Sequence, residues 1–240
     1  MLCNTKGIVL HNIKYGESSI ICKIFTKDYG LLSFIVNGIR SSKSREKVGV
    51  FQPMNMLDIV MYLRDNKNLL HIKEFKSAFA YQSLPFQFEK SAFGLFILEL
   101  LNKTIKTERE PNSEKYEFIE ESLLHLDGMK KISPDFHLQF MLKYTQYIGF
   151  MPDIQPHHRY FDLETGMSTD EIPTHPHYTD QATLRDFHTL INTSFGGENI
   201  LQINREIRKV YLKWITYYYT YHVEQFSSMK SPEILAELYL

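Results

Sequence analysis

Apolar positions recur every second residue over roughly the first 75 residues and every third or fourth residue from about residue 77 onward, so strand periodicity gives way once to helix periodicity. Residues 5–10 are a short apolar run. Residues 18–26 alternate, with Ile20, Cys22 and Ile24 on one face and Ser19, Ile21, Lys23 and Phe25 on the other. Lys27-Asp28-Tyr29-Gly30 reads as a turn and residues 31–36 as the returning strand. Residues 50–63 form another strand region, and Pro53 within it predicts an edge or a bulge. A polar turn at 64–68 leads to a fifth strand at 69–75. Five short strands with tight connections predict a small closed or partly open barrel.

The helical part begins with residues 86–103, where Phe86, Leu95, Leu98 and Leu101 make a helix apolar nearly all round, which predicts burial. Glu110-Pro111-Asn112-Ser113 breaks it. Asn112 or Ser113 is placed to cap a helix running to 125 or 126, which Asp127-Gly128 ends. Ser133 with Pro134 predicts the start of a third helix carrying Phe136, Phe140, Tyr144, Tyr147 and Ile148, closed by Gly149. Residues 151–179 have little periodicity and read as an irregular insert. Helices resume at 180–192 and 198–226, and a short one follows Pro232 over 232–240. The expected fold class is α+β, a β-barrel over residues 1–80 followed by an all-α domain over 81–240 with the insert at about 151–179.

Composition adds three bounds. The 240 residues are 43% hydrophobic and 23% charged, enough apolar content for a buried core. No stretch approaches the roughly 18 apolar residues needed to span a bilayer, and the N-terminus enters a strand-like run without a leader pattern, so no membrane association is expected. Cys3 and Cys22 are too few for a disulfide framework or a four-thiolate zinc site, which fits a reducing compartment. The net charge of −1 also hides an asymmetry. Residues 1–80 carry twelve Lys and Arg against six Asp and Glu, and residues 81–240 carry fifteen against twenty-two. A basic first part joined to an acidic second part points to a polyanion partner for the first.

Residues 38–47, Gly-Ile-Arg-Ser-Ser-Lys-Ser-Arg-Glu-Lys, concentrate that charge. They read as a solvated Ser-rich loop between two strands, suited to phosphate contacts through cations, hydroxyls and backbone N–H groups. The candidate nucleic-acid contacts are Arg40, Lys43, Arg45 and Lys47 of this segment, with Lys6, Lys14, Lys23, Lys27 and Lys73 of the strands. Tyr15, Tyr29, Phe51 and Tyr62 are available as stacking platforms for bases, although a small barrel needs at least half of them in its core.

Two further signals lie in the second part. Five of the ten histidines fall between 157 and 188, namely His157, His158, His175, His177 and His188, with Asp153, Asp162 and Asp180 nearby. His-x-His at 175 and 177 can put two imidazoles on one side of an extended chain, but Pro176 favours a loop, and no His-Glu-x-x-His pattern exists. No metal or other cofactor and no catalytic residue is therefore expected. In the last long helix Ile200, Ile203, Ile207, Val210, Trp214, Tyr218 and Tyr221 share a helical spacing that predicts core. Arg205, Lys209 and Lys213, with Arg208 beside them, make a basic strip: a solvated face or a dock for an acidic partner.

The order of motifs resembles the RecO family of bacterial recombination mediators and DNA-repair proteins. The matching residues are Thr5-Lys6-Gly7-Ile8-Val9-Leu10, Tyr15-Gly16-Glu17-Ser18, Phe25-Thr26, Tyr29-Gly30-Leu31, Val36-Asn37-Gly38-Ile39-Arg40, Lys43-Ser44 and Gln52-Pro53. Later, Tyr147-Ile148-Gly149-Phe150-Met151-Pro152-Asp153 is similar to the family's Leu-Gly-Tyr-x-Pro-x segment. The resemblance implies an N-terminal OB-fold barrel followed by a helical domain. It implies binding of single- and double-stranded DNA, strand annealing, and loading of recombinase onto strands coated by single-strand binding protein. It implies a non-enzymatic role in the bacterial cytoplasm, associated with the nucleoid. The implied partners are the acidic C-terminal tail of single-strand binding protein, RecR and, in some lineages, RecF. One departure is plain: many family members carry two Cys pairs that bind zinc after this segment, whereas residues 153–161 here contain no cysteine. Two other readings stay open from the residues themselves: a metal-dependent nucleic-acid hydrolase using the His-rich insert, and an OB-fold interaction module that binds no nucleic acid.

Overall fold

The computed structural model describes residues 1–39, 45–63, 68–106, 110–194, 201 and 203–239, with backbone only at 45–47 and 236–239. The chain divides into two compact units, Met1–Gln82 with Leu101–Leu124, and Ser83–Leu100 with His125–Leu240.

In the first unit the strands β1 (Leu2–Tyr15), β2 (Ser19–Thr26), β3 (Gly30–Val36), β4 (Met56–Tyr62) and β5 (Leu70–Ser77) close into a barrel of order β1-β2-β3-β5-β4. All pairings are antiparallel except β3 with β5. The long β1 makes closure possible. Its residues from Leu2 to Ile8 pair with β4 and those from Gly7 to Tyr15 pair with β2, with a bulge between Val9 and His11 turning the strand from one partner to the other. The alternation expected in β2 is present: Ile20, Cys22 and Ile24 are buried in a core with Val9, Phe34, Phe51, Leu57, Ile59 and Met61. Gly7 is required by that core, because a Cβ there would stand 2.5 Å from the Ile24 side chain and 3.2 Å from that of Ile59.

The sequence pattern errs in the stretch between β3 and β4. Arg45–Val50 is a helix, α1, where a solvated loop and then a strand were expected. Strand β4 begins only at Met56, which leaves Pro53 in the turn before it. Arg-Glu-Lys are good helix formers, and a short helix is indistinguishable by periodicity from a loop or a strand start.

The helices are α2 (Phe88–Thr104), α3 (Ser113–Gly128), α4 (Phe136–Tyr144), α5 (Gln181–Asn192), α6 (Arg205–His222) and α7 (Ser231–Tyr239). Among the described residues none is long and apolar enough to cross a membrane. Asn112 caps α3, its Oδ1 accepting the Lys115 N–H at 2.9 Å. Ser133 does not start α4 directly. Its Oγ accepts the Asp135 N–H at 3.3 Å, and the helix follows that turn. Gly149 closes the segment in the left-handed region, φ 89°. Helix α2 is less buried than expected, since Leu95 is exposed and Phe86 and Phe88 at its start face solvent. The stretch 151–179 is not irregular. It holds a three-stranded sheet of order β7-β6-β8, with β6 Tyr160–Asp162, β7 Met167–Thr169 and β8 Tyr178–Thr179. Strands of two or three residues are too short for alternation to show.

Candidate nucleic-acid interface

Directly opposite residues of antiparallel strands share a face, so the register sets the rows on the barrel's exterior. His11 of β1 lies opposite Lys23 of β2, which lies opposite Ser33 of β3. Ile13, Ile21 and Ile35 form the adjacent row, and Tyr15 opposite Ser19 the next. Lys23, His11, Ile13 and Tyr15 are all exposed. Lys14 lies in the same stretch, opposite Ile20, and is exposed as well. Among the described residues neither Lys14 nor Lys23 makes an ion pair. The chain toward the basic segment leaves at this end: Ile20 lies opposite Val36, and Ser19 Oγ donates to Asn37 Oδ1 at 3.1 Å. Lys23, His11, Ile13 and Tyr15 therefore share the outer face of β1–β2–β3, whereas Lys14, opposite the core residue Ile20, points to the other face of β1 and is exposed at the strand end.

The other strand cations are differently placed. Lys27 Nζ donates to Glu117 Oε1 of α3 at 2.7 Å, and this bond, with the nearby carboxylates, raises its pKa. Lys6 Nζ lies 3.5 Å from Glu120 Oε1, one turn further along α3. Lys73 pairs with Glu74 at 3.3 Å, and Lys76, which the sequence reading did not select, pairs with Asp58 at 3.3 Å. A cleft of about 660 Å³ lies here, lined by Lys6, Lys27 and Lys76 but equally by Asp28, Asp58 and Glu74. Its cations are already matched by carboxylates, so a phosphate entering it would meet no surplus of positive charge. Arg40 and Lys43 lie outside the described residues. Arg45 and Lys47 are described by backbone alone, in the first turn of α1. Of the four aromatic candidates, Phe51 is core, Tyr29 packs partly buried against it, and Tyr15 and Tyr62 are exposed.

In the second unit the basic strip of α6 separates. Arg208 is buried, with Nε donating to Asp135 Oδ1 at 2.9 Å and Nη2 to the Ile203 carbonyl at 3.2 Å, so it faces inward and not toward a partner. Arg205, Lys209 and Lys213 are exposed. Of the stripe expected as core, Tyr218 is buried and Ile203 and Trp214 are half-buried, but Ile207, Val210 and Tyr221 are on the outside, and Ile200 lies outside the described residues. Ile207, Val210, Tyr217 and Tyr221 are exposed, while the buried residues are Tyr211, Leu212, Ile215, Tyr218 and Tyr219. The tyrosines can be buried because each hydroxyl finds an acceptor: Tyr211 on Asp186 at 2.5 Å, Tyr218 on the Phe150 carbonyl at 2.5 Å, Tyr219 on the Met141 carbonyl at 2.8 Å. On the outer face Lys213 Nζ sits 5.5 Å from the centre of the Tyr217 ring.

The histidines do not gather into one centre. His157 and His158 stack edge to face at 4.5 Å, and His158 Nδ1 meets Ser168 Oγ at 2.9 Å. His188 lies on α5, and Asp180 caps that helix by accepting the Thr183 N–H. His175 and His177 do come together, with Glu164. The zinc site with two Cys pairs does not fit this chain: the insert has no cysteine, and Cys3 and Cys22 are buried in the barrel core.

A closed barrel of this strand order, with an exposed cationic and aromatic outer face, joined to a helical unit, defines an OB-type protein of two units. The chain matches the model of the recombination protein O N-terminal domain over residues 1–81 and that of the C-terminal domain over residues 85–232. It is 35% identical to the DNA repair protein RecO of Flavobacterium psychrophilum, 33% to that of Bacteroides fragilis and 30% to that of Phocaeicola vulgatus, in each case over the whole of both chains. The chain belongs to the RecO family of DNA repair proteins.

Proposed function

We propose that this chain is a non-enzymatic recombination mediator of bacterial DNA repair, acting in the cytoplasm at the nucleoid. The observation that carries the reading, beside family membership, is the β1–β2–β3 outer face. Lys23 lies there with Tyr15, Lys14 is exposed at the adjoining end of β1, and neither lysine is neutralised by a carboxylate of the described residues. Cations on this face and in residues 40–47 bind strand phosphates with little sequence preference, and Tyr15 offers a ring to a base. Neutralising two strands lowers their mutual repulsion, which is how annealing of complementary strands would follow. The helical unit recruits protein partners through the outer face of α6, where Lys209 and Lys213 border Val210, Trp214 and Tyr217. Cations beside apolar side chains suit the acidic, hydrophobic-ended tail of single-strand binding protein. That contact, with RecR and in some lineages RecF, would bring recombinase onto coated strands.

The test is affinity for a labelled single-stranded oligonucleotide at several salt concentrations. Variants are Lys14→Ala with Lys23→Ala, and Arg40, Lys43, Arg45 and Lys47 all changed to Ala. The expected result is parent binding that weakens with salt and a shallower salt slope in each variant, by about 0.7 for each lost single-strand phosphate contact. Equal affinity and equal slope in both variants would remove the barrel face from the mechanism. No binding by the parent at low salt would leave a protein-interaction module.

A further inference from the structure

The sheet β7-β6-β8 is built from strands of three, three and two residues. Strands this short are marginal without added support. At one end of the sheet, Glu164 in the turn after β6 meets His175 and His177 on the chain entering β8. His177 Nδ1 stands 2.7 Å from Glu164 Oε1, and His175 Nδ1 stands 3.7 Å from the same oxygen. One donor atom from each of the three residues lies within 4.8 Å of the others. A tetrahedral zinc ion with bonds of roughly 2.0–2.2 Å holds its ligand atoms about 3.3 Å apart, so modest side-chain rotations would complete the site.

The surroundings set a tautomer that a metal could use. The His177 backbone N–H donates to His175 Nδ1 at 3.2 Å, so that nitrogen carries a lone pair, and the ion would take it in exchange for this long hydrogen bond. The ring proton then lies on Nε2, 3.3 Å from Asp162 Oδ1. Asp162 is buried, and its Oδ1 is held by the Glu164 N–H at 2.8 Å and the Thr165 N–H at 3.3 Å. A histidine offering one nitrogen as ligand and giving the other N–H to an anchored carboxylate is the arrangement that orients metal-bound imidazoles. We propose that Glu164, His175 and His177 bind a zinc-class divalent ion, with Asp162 as the positioning residue and water in the fourth place. The ion ties the β6–β7 turn to the chain entering β8 and so supports the sheet. Its donors share no cysteine with the zinc site implied by the family resemblance.

The experiment uses the full chain, stripped with chelator, loaded with Zn2+ and passed through a desalting column before metal analysis. A parallel Co2+ titration reads the visible bands of a tetrahedral site. The expected result is one zinc per chain and tetrahedral Co2+ bands. Both should be lost in His177→Ala and weakened at least tenfold in Glu164→Gln, while the His157→Ala, His158→Ala double variant binds as the parent does. Zinc should also raise the melting temperature of the parent and of the double variant but not of His177→Ala. A parent that keeps no zinc overturns the proposal, and so does a His177→Ala variant that keeps as much as the parent. Loss of zinc in the His157, His158 variant alone would move the ion to that pair and overturn it equally.

Discussion

The Arg208 guanidinium and the Asp135 carboxylate meet at 2.9 Å inside the helical unit, both almost wholly buried. Asp135 closes the turn that starts α4, and Arg208 lies in the first turns of α6, so the pair pins one helix start to another. Removing Arg208 leaves the Asp135 carboxylate buried without its cation, which typically costs about 3–5 kcal/mol. Arg208→Ala should therefore lower the urea midpoint strongly. Lys209→Ala and Lys213→Ala, on exposed side chains of the same helix, should change stability by less than about 0.5 kcal/mol. A small shift for Arg208→Ala in equilibrium urea unfolding would mean the pair is not needed for folding.

His137 gives the second unit a pH dependence. It lies on α4 between Phe93 and Phe96, at 5.8 and 5.6 Å between ring centres. Burial first, then the nearby Arg208 charge, push its pKa down to about 3. A histidine depressed in this way is neutral when folded, whereas the unfolded chain takes up a proton below its ordinary pKa of about 6.5. The unfolded state then binds more protons, so stability is fully present above about pH 6.5 and falls as pH drops toward 3, by roughly 1 kcal/mol per unit from this group. His137→Leu should flatten the curve in that window. Chemical denaturation of both proteins at pH 7.5, 6 and 5 reads the difference, and parallel curves would refute the assignment.

Gly7 tests the barrel. Its missing Cβ is the space that Ile24 and Ile59 fill, and β1 passes from β4 to β2 at this residue. Gly7→Ala should destabilise by about 1–3 kcal/mol through overpacking. Gly7→Ala combined with Ile24→Val should recover part of the loss, because the closest atom is a branch of Ile24. Thermal melts of the single and double variants decide, and an unchanged melting temperature in the single variant would show the core able to yield.

The barrel was legible because its strands bury one face each. Alternation in β2 put Ile20, Cys22 and Ile24 together, and the structure buries all three. The outer face of α6 was misread for a chemical reason. Ile207 and Val210 look more apolar than Tyr211 and Tyr219, and a hydropathy pattern cannot know that a carboxylate and a buried carbonyl await those two hydroxyls, although it did place Tyr218 in the core. Arg208 was misassigned for the same reason, since its partner Asp135 is 73 residues away in sequence. The pairing of Lys6 and Lys27 with α3 was hidden likewise, being a tertiary contact between a strand-rich and a helical stretch. The small sheet after Gly149 escaped because two- and three-residue strands carry no period.

The outer face of α6 leads to the last prediction. The exposed side chains of Ile207 and Val210 beside Lys209 and Lys213 contribute little to folding, so substitutions there should separate binding from stability. A synthetic peptide with acidic residues and an apolar C-terminal end should bind the parent with salt-sensitive affinity. Val210→Glu places a carboxylate where the apolar end would rest and should weaken binding about tenfold or more, ~1.4 kcal/mol. Lys209→Ala with Lys213→Ala should weaken it less and flatten the salt dependence, as rim charges do. Melting temperatures of all these variants should match the parent, whereas Arg208→Ala should melt early. Fluorescence anisotropy of the peptide at two salt concentrations, with the melts alongside, separates the cases. If Val210→Glu binds as tightly as the parent, the peptide docks on another surface and the exposed stripe belongs to a different contact.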